Sequence, residues 1–404
     1  MTAGVVIVGG GVAGVSTAAA LRAGGYTGEV TLIDGGAFPY DRPPLSKDYL
    51  AGRTDLAGIA LQQPTWYDDN KIRLINRTIV SALRAGIGGV ELSDGTTVHA
   101  DKVVLATGGH ALRPPIPGAD DDRVHVLRTA SDADRLRDAL RPGAHLLVVG
   151  AGLIGAEVAS TAVGLGCEVH LVDPVCPPLA AAVGADIATW LHAQHTDAGI
   201  RTCRTGVTTL RGEPGRIRAE FGEHGETLSF DLVVLGVGMV PDTTLAQAAG
   251  LDIDRGVLVG RDQVTTNPSV LAVGDSARLR IDGQVLPRVE HWEAAQHDGR
   301  IAAATILGSI PPPVGASWFW TDRHGVHVEA VGKMADAQTI VTRGELGVPP
   351  FSAFGLAGDR VVAAVAVGDS AAVRAARRLI DREIVVDPSR LSDPSTDLKK
   401  LVRG

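Results

Sequence analysis

Apolar runs, glycine clusters and small-residue stretches follow one another in the same order at two places in the chain. Residues 5–34 read VVIVGGGVAGVSTAAALRAGGYTGEVTLID, and residues 146–173 read LLVVGAGLIGAEVASTAVGLGCEVHLVD. Each begins with an apolar run of strand length, passes through G-x-G-x-x-G, continues in small residues, and ends in a second apolar run closed by an aspartate. The pattern predicts strand, tight turn, helix and strand, twice over. Gly9, Gly11 and Gly14 stand in the first copy and Gly150, Gly152 and Gly155 in the second, with Val12, Ala13, Leu153 and Ile154 between them.

Each glycine has a mechanical task. The first makes the strand-to-helix turn, the second lets a pyrophosphate approach the backbone, and the third lets helix and sheet pack closely. The free N–H groups and the positive end of the helix dipole then face the phosphates. Asp34 and Asp173 close the two copies near the separation, roughly 20 residues, expected of an acid that grips a ribose. A lone motif of this kind is weak evidence. Two, each with strand, helix and acid in order, predict two bound dinucleotides, a resident flavin and a visiting nicotinamide. Asp173 is followed by PVCPPL, with no lysine or arginine nearby. A carboxylate accepts hydrogen bonds from a free 2′-hydroxyl and repels a 2′-phosphate, so the second copy is expected to prefer NAD to NADP.

Three further segments have the pattern of loops at strand ends. VVLATGGHALRPPIPG (103–118) runs from an apolar strand through Ala106, Thr107 and Gly108 into a proline-rich connector. LVVLGVGMVPDTTLAQAAGL (232–251) repeats that pattern after the second copy, and PSVLAVGDSARL (268–279) ends a strand in Gly274-Asp275. GSIPPPVG at 308–315 reads as a linker. Beyond it, GVHVEAVG, QTIVTRG and RVVAAVAVG alternate as strands do, with a final amphipathic helix in AAVRAARRLIDRE, which predicts a small antiparallel sheet domain. The tail DPSRLSDPSTDLKKLVRG is expected to fold back as an extended arm.

Composition narrows the classes. The 404 residues suit two or three domains, and 45% apolar with 21% charged residues is globular composition. The 50 glycines show no collagen-like period and point to many tight turns. A net charge of −8 argues against nucleic acid or an anionic membrane as the main partner. The apolar run near the start lacks a basic N-terminal region and is crowded with glycine, so it reads as buried strand and turn rather than a signal peptide or membrane span. Cys167, Cys176 and Cys203 are too few for a disulfide scaffold and form no C-x-x-C pair, so no metal site is expected and a reducing cytoplasm fits. They read as buried small hydrophobes or incidental thiols.

The segments RPPLSK, ATG, GAGLIGAE, GVGMVPD, AVGDSA, VEHWEAAQ and WFWTD occur in this order along essentially the whole chain. In that combination the sequence resembles the FAD-dependent, NADH-linked ferredoxin reductases of bacterial cytochrome P450 and Rieske oxygenase systems, of the putidaredoxin reductase type. The resemblance implies an α/β fold of the glutathione reductase kind, with two Rossmann-like dinucleotide-binding domains and a small α+β C-terminal domain. It also implies two cofactors, FAD and NAD. The expected division is an FAD domain from 1–111 and 243–312, an NAD domain from 112–242, and a C-terminal domain from 313–404.

Residue by residue, the resemblance implies that Asp34 binds the adenosine ribose of FAD and that Arg42 and Lys47 flank the flavin, with Lys47 near its ring. Val80 in RTIVSAL would meet the adenine through its backbone, and Arg128 in VLRTASDAD would assist FAD binding. Asp275 would bond the ribityl chain. Glu290, His291 and Trp292, with Trp320, would line the cofactor. In the second copy Glu157 would sit beside the nicotinamide, with Gly238 permitting close approach of the dinucleotide. Asp173 stands where the family usually has a glutamate, one methylene longer. Plainer readings stand beside these: Arg42 and Lys47 as surface charges, Glu157 as an acid favouring a helix start, and Trp292, Trp318 and Trp320 as packing, which for Trp318 is the expected role. His291 and His297 read as rim residues without a proton-transfer duty.

Disulfide reductases carry a thiol pair beside the flavin, and oxidase relatives a single thiol. Here the corresponding loop reads Pro-Leu-Ser-Lys. Electrons are therefore expected to leave directly for a one-electron acceptor, a two-iron two-sulfur ferredoxin whose cluster ligands this chain lacks. Docking an acidic ferredoxin asks for local positive charge. Arg374, Arg378 and Arg382 recur every four residues with Arg377 beside them, but a solvated face paired with Asp381 explains them equally. Arg300, whose family counterpart contacts the ferredoxin, is the stronger candidate. The competing expectations are an NADH oxidase or peroxide reductase and a redox-sensing NADH-binding protein of the apoptosis-inducing-factor type. The bacterial-type C-terminal domain and short N-terminus lean toward an enzyme, monomeric or homodimeric.

Overall fold

The computed structural model describes residues 4–84, 88–222 and 225–402. By its internal contacts the chain divides into two compact units. One comprises 1–43, 54–110 and 239–314; the other comprises 44–53, 111–238 and 315–404.

The first unit is built on a parallel sheet in the order Val270–Ala272, Lys102–Leu105, Val5–Val8, Val30–Ile33, Ile72–Ile75. Val5 pairs with Val30 on one side and Lys102 on the other. Its central strands Val5–Val8 and Val30–Ile33 are buried at every position, Thr31 included, because both faces are covered, as parallel sheets require. The first strand turns into the helix Val12–Ala23, which packs lengthwise on the helix Trp292–Leu307. Glycine makes that packing possible: a Cβ on Gly299 would lie 2.6 Å from the Ala13 carbonyl oxygen. An antiparallel sheet, Val80–Leu83, Val90–Leu92 and Thr97–Val98, completes one flank.

The second unit repeats the scheme. Its parallel sheet runs Arg201–Cys203, Glu168–Val172, His145–Val149, Leu232–Leu235, Val124–Val126. An antiparallel meander, Val207–Glu213, Arg216–Phe221 and Glu226–Phe230, buries Ile217, Ala219 and Phe230 against it. The same unit contains the predicted antiparallel sheet near the C-terminus, in the order Trp318–Arg323, Val326–Gly332, Arg360–Val367, Phe351–Ala357, Thr339–Arg343. The helix Ser370–Asp381 lies on it through Ala372, Val373, Ala376 and Leu379, with Arg374 and Arg378 exposed and Arg377 half-buried against Asp381. The tail differs from the expected extended arm. It forms short helices, Pro388–Ser392 and Leu398–Leu401, each started by an aspartate cap, and buries Leu391, Leu398 and Leu401 in the same core. Among the described residues no helix is long and apolar enough to cross a membrane.

Candidate functional site

In the first unit the glycine turn is closed by sterics. Gly9 has φ +115°, and a Cβ there would lie 2.2 Å from the Ala106 oxygen; one on Gly14 would lie 2.0 Å from the Gly9 oxygen. These contacts press the helix against the sheet and leave Gly11 at the helix N-terminus, with no side chain capping its amides. A Cβ on Gly11 would approach Arg42 Nη1 to 2.7 Å, so the cation predicted from the proline-stiffened loop stands at the mouth of the turn. Asp34, at the end of the second strand, accepts from Gly10 N at 3.2 Å. Glycine backbone, a guanidinium and an adjoining carboxylate are what a dinucleotide with its diphosphate and ribose requires, so the residues present fit FAD.

The other predicted residues of this unit take definite places. Thr107 Oγ1 donates to the Asp242 carbonyl at 2.8 Å, and Asp242 N donates to the Gly108 carbonyl at 2.9 Å, which ties the two strand-end loops together. Val80 is buried and opens its strand opposite Leu92. Gly274 and Asp275 form a 3-10 turn, and a Cβ on Gly274 would meet Ala13 Cβ at 2.9 Å. His291 is the N-cap of the helix Trp292–Leu307. Trp292 Nε1 donates to Asp41 Oδ1 at 2.8 Å, and Glu290 pairs with Arg288 at 2.5 Å. Arg300 is exposed, with Nη2 donating to Gln296 Oε1 at 2.8 Å.

In the second unit Gly150 has φ +96°, and a Cβ there would meet the Gly236 oxygen at 2.5 Å; a Cβ on Gly155 would meet the Gly150 oxygen at 1.9 Å. Gly152 and Gly238 face open space. The turn is thus packed from behind and clear in front, which fits a dinucleotide such as NAD. Leu153 begins the helix and Ile154 is exposed at its start. Asp173 accepts from Ala151 N and Val175 N, both at 2.8 Å. Arg128 precedes the helix Ala130–Ala139, whose capping box is made by Thr129 and Asp132, and Arg128 N donates to Asp132 at 3.2 Å.

Glu157 is the centre of a polar cluster in this unit. It lies beyond the first helical turn and is buried, so the reading of an acid favouring the helix start does not apply. Ser46 Oγ donates to its Oε2 at 2.5 Å. Thr321 Oγ1, Lys47 Nζ and Asp322 N reach its Oε1 at 2.8, 3.3 and 3.4 Å. The buried carboxylate thus faces one cation and several neutral donors. Lys47 Nζ also lies 3.7 Å from Asp322 Oδ2 and 5.7 Å over the Trp320 ring. Trp320 stacks on Trp318 at 5.0 Å, and Trp318 Nε1 donates to Glu329 Oε2 at 2.9 Å. The packing role expected of Trp318 is thus joined to a polar contact. His327 completes a ring, its Nδ1 2.5 Å from Asp322 Oδ1 and its Nε2 3.2 Å from Glu329 Oε1. Burial pulls the His327 pKa down, but the two carboxylates outweigh it and raise the group above its ordinary value.

Sequence reasoning missed Thr321, Asp322, Arg323 and His327. Strand alternation carried a readable sign, because in Trp318–Arg323 the buried positions are Phe319, Thr321 and Arg323. A guanidinium on the inner face of a strand is anomalous and asks for a partner. Arg323 Nη1 lies 3.4 Å from His195 Nε2, and His195 Nδ1 lies 2.8 Å from His324 Nε2. Arginine only donates, so His195 accepts at Nε2 and donates from Nδ1 to His324. Burial holds Arg323 down to about 10 despite Glu157 nearby. The thiols lie elsewhere: Cys167 is buried with Sγ near the Arg141 carbonyl, while Cys176 and Cys203 are exposed, which suits the reading of incidental thiols rather than buried small hydrophobes for those two.

The comparisons agree with this geometry. The family model described as pyridine nucleotide-disulphide oxidoreductase matches residues 3–299, and the model described as reductase C-terminal matches 318–402. Putidaredoxin reductase of Pseudomonas putida is 35% identical, with 98% of this chain and 96% of that protein covered. Rhodocoxin reductase of Rhodococcus erythropolis is 34% identical, covering 98% and 93%. The covalent putidaredoxin reductase–putidaredoxin complex superposes with a TM-score of 0.90 at 33% identity, over 99% of this chain and 98% of that one. The ferredoxin reductase for the CYP199A2 system from Rhodopseudomonas palustris gives 0.92 at 32% identity, over 99% of each. The chain belongs to the pyridine nucleotide-disulphide oxidoreductase family, in its branch of ferredoxin reductases of the putidaredoxin reductase type.

Proposed function

We propose that the chain is an FAD-dependent NADH:ferredoxin oxidoreductase that supplies single electrons to a two-iron two-sulfur ferredoxin serving a cytochrome P450 or a Rieske oxygenase. One NADH and two oxidised ferredoxins give NAD⁺, two reduced ferredoxins and one proton. The carrying observation is the commitment of Ser46 to Glu157: where a redox thiol would stand there is a hydroxyl, held at 2.5 Å by a buried carboxylate. Bound FAD supplies the exchange between a two-electron hydride and single electrons.

This chain's residues bind, orient and charge-balance. Gly9, Gly11, Gly14, Asp34 and Arg42 would hold FAD, with Ala106–Gly108, Gly274 and Asp275 beside them. Gly150, Gly152, Gly155 and Asp173 would hold NAD, and the carboxylate of Asp173 disfavours a 2′-phosphate. Glu157 would orient the nicotinamide, and Lys47 would set local positive charge where the reduced flavin is anionic. Arg300, exposed on its helix, is the proposed ferredoxin contact. A division into 1–111 with 243–312, 112–242 and 313–404 is supported by the two parallel sheets and by the family match that begins at 318. Free cysteines support a cytoplasmic site.

Purified protein mixed with NADH, a candidate two-iron two-sulfur ferredoxin and cytochrome c tests the proposal. Cytochrome reduction should depend on ferredoxin. Rapid oxygen or peroxide consumption without any partner would favour the oxidase reading instead.

A further inference from the structure

Asp298 is a carboxyl that the proposed mechanism does not use. It stands half-buried on the helix Trp292–Leu307 of the first unit. Its Oδ2 accepts from Gly274 N at 3.1 Å and its Oδ1 accepts from Gln263 Nε2 at 3.2 Å. Both donors are neutral. Gln263 is 1% exposed and its own Oε1 is buried without a hydrogen-bond donor. Within this cluster Gln263 Oε1 is the acceptor left without a donor, and protonation of Asp298 would add an O–H donor to the group.

The charges around Asp298 are of the wrong sign for an anion. The turn that donates Gly274 N continues into Asp275, the proposed cofactor ligand. The helix Val12–Ala23, packed against this turn through Ala13, keeps its cation Arg22 on the carbonyls of Tyr26, Gly28, Asn70 and Lys71. On the loop that carries Gln263, Arg261 and Asp262 are exposed. On its own helix stand Glu293, His297 and Arg300, the last exposed and turned to Gln296. Among the described residues no salt bridge is made by Asp298. A diphosphate delivered to the glycine turn of Gly9–Gly14 adds further negative charge to the same cradle.

We propose that Asp298 is protonated when FAD is bound, so that FAD binding takes up a proton and weakens as pH rises through neutrality. This rests on the reading of the first cradle as an FAD site. Desolvation, with Asp275 adding, pushes the Asp298 carboxyl up to about 7 against the pull of the Gly274 N–H. The free protein is then part-ionised near neutral pH, and a ligand that favours the acid form must supply the missing proton from solvent.

The test is the dissociation constant of FAD for the full-length apoprotein from roughly pH 6 to 9, read by flavin fluorescence, with titration calorimetry in buffers of different ionisation enthalpy. The constant should be flat below neutrality and rise by about tenfold per pH unit above it, with uptake of up to one proton per FAD. Asp298→Asn, which keeps shape and an acceptor for Gly274 N, should bind FAD independently of pH. A flat profile with no proton uptake in the unmodified chain overturns the proposal, as does a pH dependence that persists in Asp298→Asn. Failure to bind FAD at any pH overturns instead the cofactor reading beneath it.

Discussion

Ser46 and Glu157, 111 positions apart in the chain, meet in a hydrogen bond of 2.5 Å between a hydroxyl and a buried carboxylate. The hydroxyl donates to one carboxylate oxygen of Glu157 while Lys47 reaches the other. Removing it should leave one buried oxygen short of a donor, at a cost of about 1–3 kcal/mol. Ser46→Ala is therefore expected to lower the unfolding midpoint in urea. It should also slow flavin reduction by NADH in rapid mixing, with FAD retention unchanged. An unaltered reduction rate would show that this bond only packs the loop.

Glu157→Gln keeps the shape and removes the charge that Lys47 Nζ faces at 3.3 Å. Charge-assisted bonds are worth about 1.5–3 kcal/mol, so a drop of about ten- to a hundredfold in the rate of reduction by NADH is expected. Bound-flavin absorbance should persist. Loss of FAD with the same substitution would place Glu157 among structural residues.

Asp173 is held by two backbone N–H groups at 2.8 Å, which fix its carboxylate at the end of its strand. Asp173→Asn removes the repulsion toward a 2′-phosphate. The ratio of kcat/KM for NADH over NADPH should fall by about tenfold or more. Steady-state rates with both nucleotides measure it, and an unchanged ratio would move the discrimination elsewhere.

Acid should destabilise the second unit through His195 and its neighbours His192 and His324. His195 is wholly buried, and desolvation, then Arg323 and His324, lower its pKa to about 2. His192 and His324 are lowered for the same leading reason. An unfolded histidine takes its proton near 6.5, so below that pH the unfolded chain binds protons that the folded chain refuses. Stability is thus lost as pH falls from about 6.5 toward 2. Urea midpoints between about pH 8 and pH 5 should decline more steeply for the unmodified chain than for His195→Gln. Equal slopes would contradict the assignment.

Arg300→Glu should weaken ferredoxin-dependent cytochrome reduction several-fold at low salt, by about three- to tenfold, with the difference shrinking as salt rises. Arg374→Glu, on the exposed face of the helix Ser370–Asp381, serves as the comparison. If both substitutions act alike, net charge rather than a docking contact is being measured.

The sequence by itself determined the two parallel sheets and their glycine turns. Strand, turn, helix and acid follow within some 30 residues, and close packing of consecutive elements leaves little choice of geometry. It also determined that no thiol lies in the Pro-Leu-Ser-Lys loop. Asp34 and Asp173 were legible for the same reason: each accepts from a backbone N–H of its own glycine turn. Tertiary structure alone decided what surrounds Glu157. Ser46, Lys47, Thr321 and Asp322 come from far-apart stretches, and no periodicity links them. It also turned Arg323 inward onto His195 and set Asp298 between Gly274 and Gln263. Local pattern reports which face of an element is buried. What a polar group meets there depends on which other element packs against that face, and that is fixed only when the chain has folded.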